Sequence, residues 1–204
     1  MDVRLKWPFT CMISGPTQSG KSHLVRRLIL ELRQVVDQPV DRIVWCYGVW
    51  QPLYAELSGS IEFVEGLGVS LNPRERTLLI IDDLMDDTSD KVSKLFTRGS
   101  HHENASVIYI VQNLFHKGKH HRTISLNAHY MIIFKNPRDV SAITQLAKQM
   151  YPGKTKFVRE SYEDATQKPY SYLFLDLKST TPDILRLRNS IFPSDNPTVY
   201  VPKV

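Results

Sequence analysis

Gly15-Pro16-Thr17-Gln18-Ser19-Gly20-Lys21-Ser22 is the segment that most constrains what this 204-residue chain can become. It satisfies G-x-x-x-x-G-K-[ST], and its flanks give the match its weight. Residues 8–14 (PFTCMIS) read as a strand before it. After it, Leu24, Val25, Leu28, Ile29, Leu32, Val35 and Val36 recur at helical spacing, with Arg26, Arg27, Glu31 and Arg33 on the opposite face. A strand, a glycine-bounded turn and an amphipathic helix form a single physical device. Gly15 and Gly20 let the backbone turn back, so that consecutive N–H groups around Pro16, Thr17, Gln18 and Ser19 point into one concavity. The helix beginning near Lys21 aims its positive end at the same place. Lys21 adds a full charge at the β- and γ-phosphates of a nucleotide, and the Ser22 hydroxyl is a ligand suited to Mg²⁺. The segment predicts a site for ATP and Mg²⁺.

A phosphate cradle needs a second arm to hold the metal, commonly an acid ending a neighbouring buried strand. Residues 77–82 (TLLIID) form such a strand, with no polar interruption, and are followed by Asp83. Asp82 is expected to bind Mg²⁺ through water, and Asp83 to orient and deprotonate the attacking water. Asp86, Asp87 and Asp90 read as a solvated face and helix cap. A further buried strand, 105–112, ends in Gln112-Asn113, where an amide at the tip can contact the γ-phosphate or its water. If that strand lay between the loop strand and the acidic strand, the chain would belong to the additional-strand class of P-loop ATPases. Strand order is not written in the sequence.

The rest of the chain repeats the alternation of short apolar runs and helical patterns that builds a mainly parallel sheet with helices on both faces, an α/β fold. Asp37-Gln38-Pro39 stops the first helix, 42–47 is a strand, 89–98 a short helix and 128–134 a strand. Asp139 can cap a helix carrying Val140, Ile143, Leu146, Ala147 and Met150, which stops at Pro152-Gly153. Residues 170–177 alternate as an edge or hairpin strand. Pro182, Pro193, Pro197 and Pro202 mark 178–204 as an extended, proline-rich extension of one domain spanning 1–204, laid over a neighbour or over the domain itself. The composition, 42% hydrophobic and 23% charged, is globular, and no internal repeat is visible. The apolar runs are strand-sized, well short of a membrane span, and Met1-Asp2-Val3-Arg4 lacks a signal-peptide core, so neither membrane insertion nor secretion is expected. Cys11 and Cys46 lie inside apolar runs and read as buried reduced thiols rather than zinc ligands.

Several of these strings together are familiar. Residues 13–22 (ISGPTQSGKS), LLIIDD, 95–102 (LFTRGSHH), 110–113 (IVQN) and Arg122-Thr123-Ile124-Ser125-Leu126-Asn127 resemble the viral genome-packaging ATPases of the FtsK–HerA superfamily. The branch is that of poxvirus-like viruses, Polinton (Maverick) elements and adintoviruses, and the resemblance covers roughly 9–150. It implies an additional-strand P-loop ATPase that threads double-stranded DNA into a capsid without reading its sequence. It further implies a homo-oligomeric ring, pentamer or hexamer, meeting a capsid or portal-vertex protein. The implied setting is intracellular, at the host nucleus or a cytoplasmic assembly site, or the virion itself. Lys21 and Ser22 take the nucleotide role, Asp82 the metal role and Gln112 the sensor role. One departure stands out: the superfamily usually places Glu after the metal-binding Asp, and here it is Asp83, one methylene shorter. Either the water is held differently or a nearby acid such as Glu103 contributes.

Ring motors complete each site with an arginine from the adjacent subunit, for which Arg98 and Arg122 are the candidates, Arg98 being favoured for its place one short helix after the acidic strand. Charge is uneven as well. The chain carries 26 Lys+Arg against 21 Asp+Glu, and no acid occurs from 104 to 138, which holds Lys117, Lys119, Arg122, Lys135 and Arg138 with His116, His120, His121 and His129. The segment 115–121 reads as a basic loop able to contact DNA phosphates in a ring pore, or as a solvated surface loop. Two other functions fit the phosphate loop: a small nucleotide-dependent kinase, and a nucleotide-gated scaffold with little hydrolysis.

Overall fold

The computed structural model describes residues 2–57, 59–84, 89–115 and 119–203, with the main chain alone at Ser89, Arg98, His101 and Lys119. Asp86, Asp87, His116, Lys117 and Gly118 lie outside the described residues. Where the chain is apolar without interruption it forms strands buried on both faces: β1 (Thr10–Ser14), β2 (Arg42–Tyr47), β4 (Thr77–Asp82), β5 (Ala105–Val111) and β6 (Tyr130–Phe134). Between β2 and β4 lies β3 (Glu62–Glu65), and β7 (Tyr172–Asp176), β8 (Leu187–Arg188) and β9 (Val199–Tyr200) follow. Together they form one sheet in the order β3-β2-β4-β5-β1-β6-β7-β8-β9. From β3 to β6 all pairings are parallel, and from β6 to β9 all are antiparallel.

The period-2 geometry of the strands sends alternate residues to opposite faces. Cys11, Ile13, Trp45, Ile80, Ile108 and Ile132 face one core, which α1 (Lys21–Leu30), α2 (Leu32–Val35) and α3 (Pro52–Ala55) cover with Leu24, Leu28, Val35 and Tyr54. Met12, Cys46, Ile81, Tyr109 and Ile133 face the other. That face is covered by α4 (Ser89–Lys94), α6 (Lys119–Leu126), α7 (Val140–Met150) and α8 (Thr155–Ala165). A π-helical turn, Leu95–Gly99, runs from α4 into the one-turn α5 (Ser100–His102). Each isoleucine so enclosed contributes about 1.5–3 kcal/mol by leaving water. Both cysteines are buried and unbridged.

The helix expected from near Lys21 to Val36 is broken in two at Glu31, whose φ of −103° leaves the helical region. Asp139 caps α7 as expected, its Oδ1 accepting from the Ala142 N–H at 3.1 Å. The basic loop read over 115–121 is shorter than expected. Lys119, His120 and His121 already belong to α6, and His121 is buried against the Tyr109 ring rather than facing solvent. The strand β7 is no edge, because it pairs with β6 on one side and β8 on the other. Residues 178–203 lie over the domain and rejoin its sheet through β8 and β9. Ile191 and Phe192 enter the first core, and Asp195 pairs with Arg27 of α1 at 2.7 Å.

Candidate functional site

The loop 15–20 connects β1 to α1 at the carboxyl end of the parallel strands. Gly15 has no alternative there, because a Cβ would stand 2.7 Å from both Phe134 Cβ and Ser19 Oγ. Gly20 turns the chain with φ +102° and starts α1, its carbonyl accepting from the Leu24 N–H at 2.9 Å. Lys21 folds back over the loop, and its Nζ donates to the carbonyls of Gly15 at 2.7 Å and Pro16 at 2.9 Å. Burial lowers the Lys21 pKa, while the charges of Asp82 and Asp83 act in the opposite direction.

The strand β5 separates β4 from β1, with Ser14 level with Val111 and Ile110 level with Asp82. The helix after β1 packs on one face and the helix after β5 on the other, so a crevice opens between these strand ends, as at the switch point of an open α/β sheet. Asp82 is 5% exposed and accepts on one oxygen, Oδ2, from Tyr54 Oη at 2.9 Å and Ser22 Oγ at 3.4 Å. Burial raises its pKa, and the Tyr54 hydrogen bond opposes that rise. Asp83 sits just past the strand at φ +54°, a left-handed conformation that Asp tolerates better than most residues. Its Oδ2 accepts from Gln112 Nε2 at 2.9 Å.

These groups line one cavity of about 340 Å³: Thr17 to His23, Gln51, Leu53, Asp82, Asp83 and Gln112 among them. A second cavity of about 480 Å³ lies across Pro16, Thr17, Gln18 and Ser19 and is bounded by Lys135, Lys168 and Tyr170. The Ser22 hydroxyl and Asp82 carboxylate are oxygen donors suited to a hard cation. Among the described residues no cluster of three or more His, Cys, Asp or Glu could cage a metal. That donor set fits Mg²⁺, which takes one or two protein oxygens and completes its shell from phosphates and water.

Other residues of interest lie elsewhere. Glu103 precedes β5 at the end opposite Gln112, with the whole seven-residue strand, about 20 Å long, between them, so it is not an acid near the cavity. Arg98 is in the π-helical turn, and its side chain lies outside the described residues. Arg122 is exposed on α6 beside a separate hollow with Phe115 and Gln149. Motif reading missed Tyr54 and Tyr170. For Tyr54 the available signal was the aromatic series Trp45, Tyr47, Trp50, Tyr54; for Tyr170 no motif points to it.

The fold is that of an additional-strand P-loop NTPase, and the resemblance to FtsK–HerA-type packaging ATPases is borne out in that fold. The genome packaging NTPase from Sulfolobus turreted icosahedral virus 2, solved with AMPPCP, matches with a TM-score of 0.57 at 14% identity, over 96% of this chain and 98% of that one. The DNA-packaging ATPase from Sulfolobus turreted icosahedral virus matches with a TM-score of 0.57 at 14% identity, over 97% and 99%. The pCW3 conjugation coupling protein TcpA, solved with ATPγS, matches with a TM-score of 0.52 at 15% identity, over 85% of this chain and 58% of its own. No protein-family model matches the chain, and no curated protein matches it by sequence.

Proposed function

We propose that this chain is an ATPase that converts ATP and water to ADP and phosphate and uses the cycle to drive double-stranded DNA into a viral or virus-like capsid. The observation that carries the reading is the gathering of Lys21, Ser22, Asp82, Asp83 and Gln112 around one cavity, with β5 between β1 and β4. Structures of similar fold from packaging and conjugation proteins support the choice of DNA as the load.

In this reading the loop N–H groups and the positive end of α1 receive the phosphates. Lys21 exchanges the carbonyls of Gly15 and Pro16 for phosphate oxygens, and the 480 Å³ cavity beside Tyr170 takes the ribose and base. Ser22 directly, and Asp82 through water, would hold Mg²⁺, which when bound would supply neutralisation of phosphate charge. Asp83 accepts the proton of the attacking water as the new P–O bond forms and the bond to ADP breaks. Gln112, bonded to Asp83, reports whether the γ-phosphate is present. The protomer acts within a homo-oligomeric ring, pentamer or hexamer, where Arg98 or Arg122 reaches the site of the next copy. The ring docks on a capsid or portal-vertex protein inside the infected cell. Lys117 and Lys119 grip the DNA backbone without base preference, joined by Arg122 if Arg98 is the arginine that serves the next copy.

The test is ATP turnover with and without linear double-stranded DNA across a range of protein concentrations, with Lys21→Ala as control. A packaging motor shows DNA-stimulated turnover that rises steeply with protein concentration. A monomer active without DNA would fit a kinase instead, and tight ATP binding with negligible hydrolysis a nucleotide-gated scaffold.

A further inference from the structure

The hydroxyl of Tyr54 is a chemical feature that packing does not require. The Tyr54 ring is fully enclosed, with neighbouring ring centroids at 5.2 Å (Trp45), 5.5 Å (Tyr47), 5.4 Å (Trp50) and 5.1 Å (Phe63). A phenylalanine would fill that space equally well. What tyrosine adds is one O–H, delivered at 2.9 Å to Asp82 Oδ2, the oxygen that the Ser22 hydroxyl meets at the longer 3.4 Å. A buried hydroxyl and a buried carboxylate each need a partner, and here each satisfies the other. The aromatic cage also fixes where the hydroxyl can be. The four residues of α3 that carry it are tied to α1 by Arg26 and Glu56 at 3.1 Å, while Gln51 and Leu53 beside it line the cavity.

We infer that Tyr54 is a positioning residue, holding the Asp82 carboxylate turned toward Ser22 so that the hydroxyl, directly, and the carboxylate, through water, serve the same cation. The inference rests on the reading of Ser22 and Asp82 as the Mg²⁺ pair. Tyr54 does not touch substrate in this scheme and acts only through Asp82. Removing such a supporting hydrogen bond behind a metal ligand commonly lowers metal affinity by about 10–100-fold.

The experiment compares the parent with Tyr54→Phe, Asp82→Asn and the double variant. Affinity for a fluorescent ADP analogue is measured in excess EDTA and again across a MgCl₂ titration, beside steady-state ATP turnover and thermal melting. Tyr54→Phe should melt within about 3 °C of the parent and bind the analogue equally well in EDTA. Its half-saturating Mg²⁺ concentration should rise about tenfold or more, and kcat should fall with it. In the Asp82→Asn background the same change should add nothing further. If Tyr54→Phe leaves the Mg²⁺ dependence intact while Asp82→Asn abolishes it, the inference is wrong and the reading of the metal pair stands. The inference is equally wrong if Tyr54→Phe lowers only the melting temperature. If Asp82→Asn also leaves the Mg²⁺ dependence unchanged, the metal pair itself is wrong and the inference falls with it.

Discussion

Gln112 Nε2 donates to Asp83 Oδ2 at 2.9 Å, joining the tip of β5 to the residue that follows β4. An amide read from sequence as a phosphate sensor and an acid read as a base are therefore one hydrogen-bonded pair. In the proposed reaction Asp83 needs its carboxylate facing water, and the Gln112 hydrogen bond to one of its two oxygens helps to orient it. Gln112→Ala should lower kcat about tenfold with little change in ATP affinity. Asp83→Asn should lower it by about 10²–10⁴ while nucleotide binding persists. Lys21→Ala should instead abolish binding. Equilibrium binding and turnover on the three variants separate these outcomes, and parent-like turnover by Asp83→Asn would falsify its assignment as the base.

The two cavities flanking Thr17, Gln18 and Ser19 predict a division of labour between phosphates and base. Tyr170 is 72% exposed, lies against Gly20 and lines the second cavity, whereas Asp82 lines the first. Tyr170→Ala should weaken ATP binding about tenfold or more, on the scale of one base–aromatic stack. Inorganic triphosphate, which has no base, should bind the variant as well as the parent. Competition calorimetry with both ligands checks this; equal losses for the two would place the base elsewhere.

Of the two candidate arginines, Arg122 lines a separate hollow and not the 340 Å³ cavity of its own chain, and Arg98 stands in the π-helical turn with its side chain outside the described residues. If one of them completes the site of a neighbouring copy, a Lys21→Ala subunit mixed with an Arg98→Ala or Arg122→Ala subunit should recover part of the lost turnover. Removal of the arginine that completes the neighbouring site should cost about 10³ or more in kcat. Turnover against mixing ratio is the measurement. No recovery with either arginine would argue against a shared site.

The pairing of Arg27 with Asp195 gives a pH prediction. The Arg27 hydrogen bond holds the Asp195 carboxyl below its ordinary value, with Ser190 adding a second bond from its hydroxyl at 2.7 Å. A carboxyl depressed in the folded state contributes stability that is complete above the unfolded pKa, near 3.8, and is lost as pH falls through the lower folded value. Asp195→Asn should therefore melt earlier than the parent at pH 7, by a few degrees at most, since the pair is partly open to solvent. At pH 2–3 the gap should narrow. Melting curves at both pH values decide it, and a constant gap would assign the loss to packing.

Much of the site was legible because its chemistry is local in sequence. Residues 15–22 carry the loop, and the acidic and amide tips follow uninterrupted apolar strands whose limits were read within a residue or two. Strand order was not legible, because which buried strand lies beside which is decided by long-range packing. The elements that sequence reading missed have weak patterns. In β3, EFVE places acids at both ends, and α8 turns a narrow stripe of Val158, Ser161, Tyr162 and Ala165 inward, two of them small or polar. The helix α6 was hidden because Lys119, His120 and His121 look like a solvated basic run, whereas burial of His121 depends on meeting Tyr109. Tyr54 contacts Asp82 across 28 positions, a relationship that no local motif encodes.

The three strands that end at the cavity are paired in register along most of their lengths, Thr10 to Ser14 with Val107 to Val111 and Thr77 to Asp82 with Ala105 to Ile110. Their residues are sealed on both faces, and sliding any strand by one place would turn its whole set of side chains onto the wrong core. The strand tips behave as a fixed anvil. In the proposed motor, any stroke driven by the nucleotide would be delivered by what is hung on that anvil, the loops and helices, rather than by a shift of one strand tip past another.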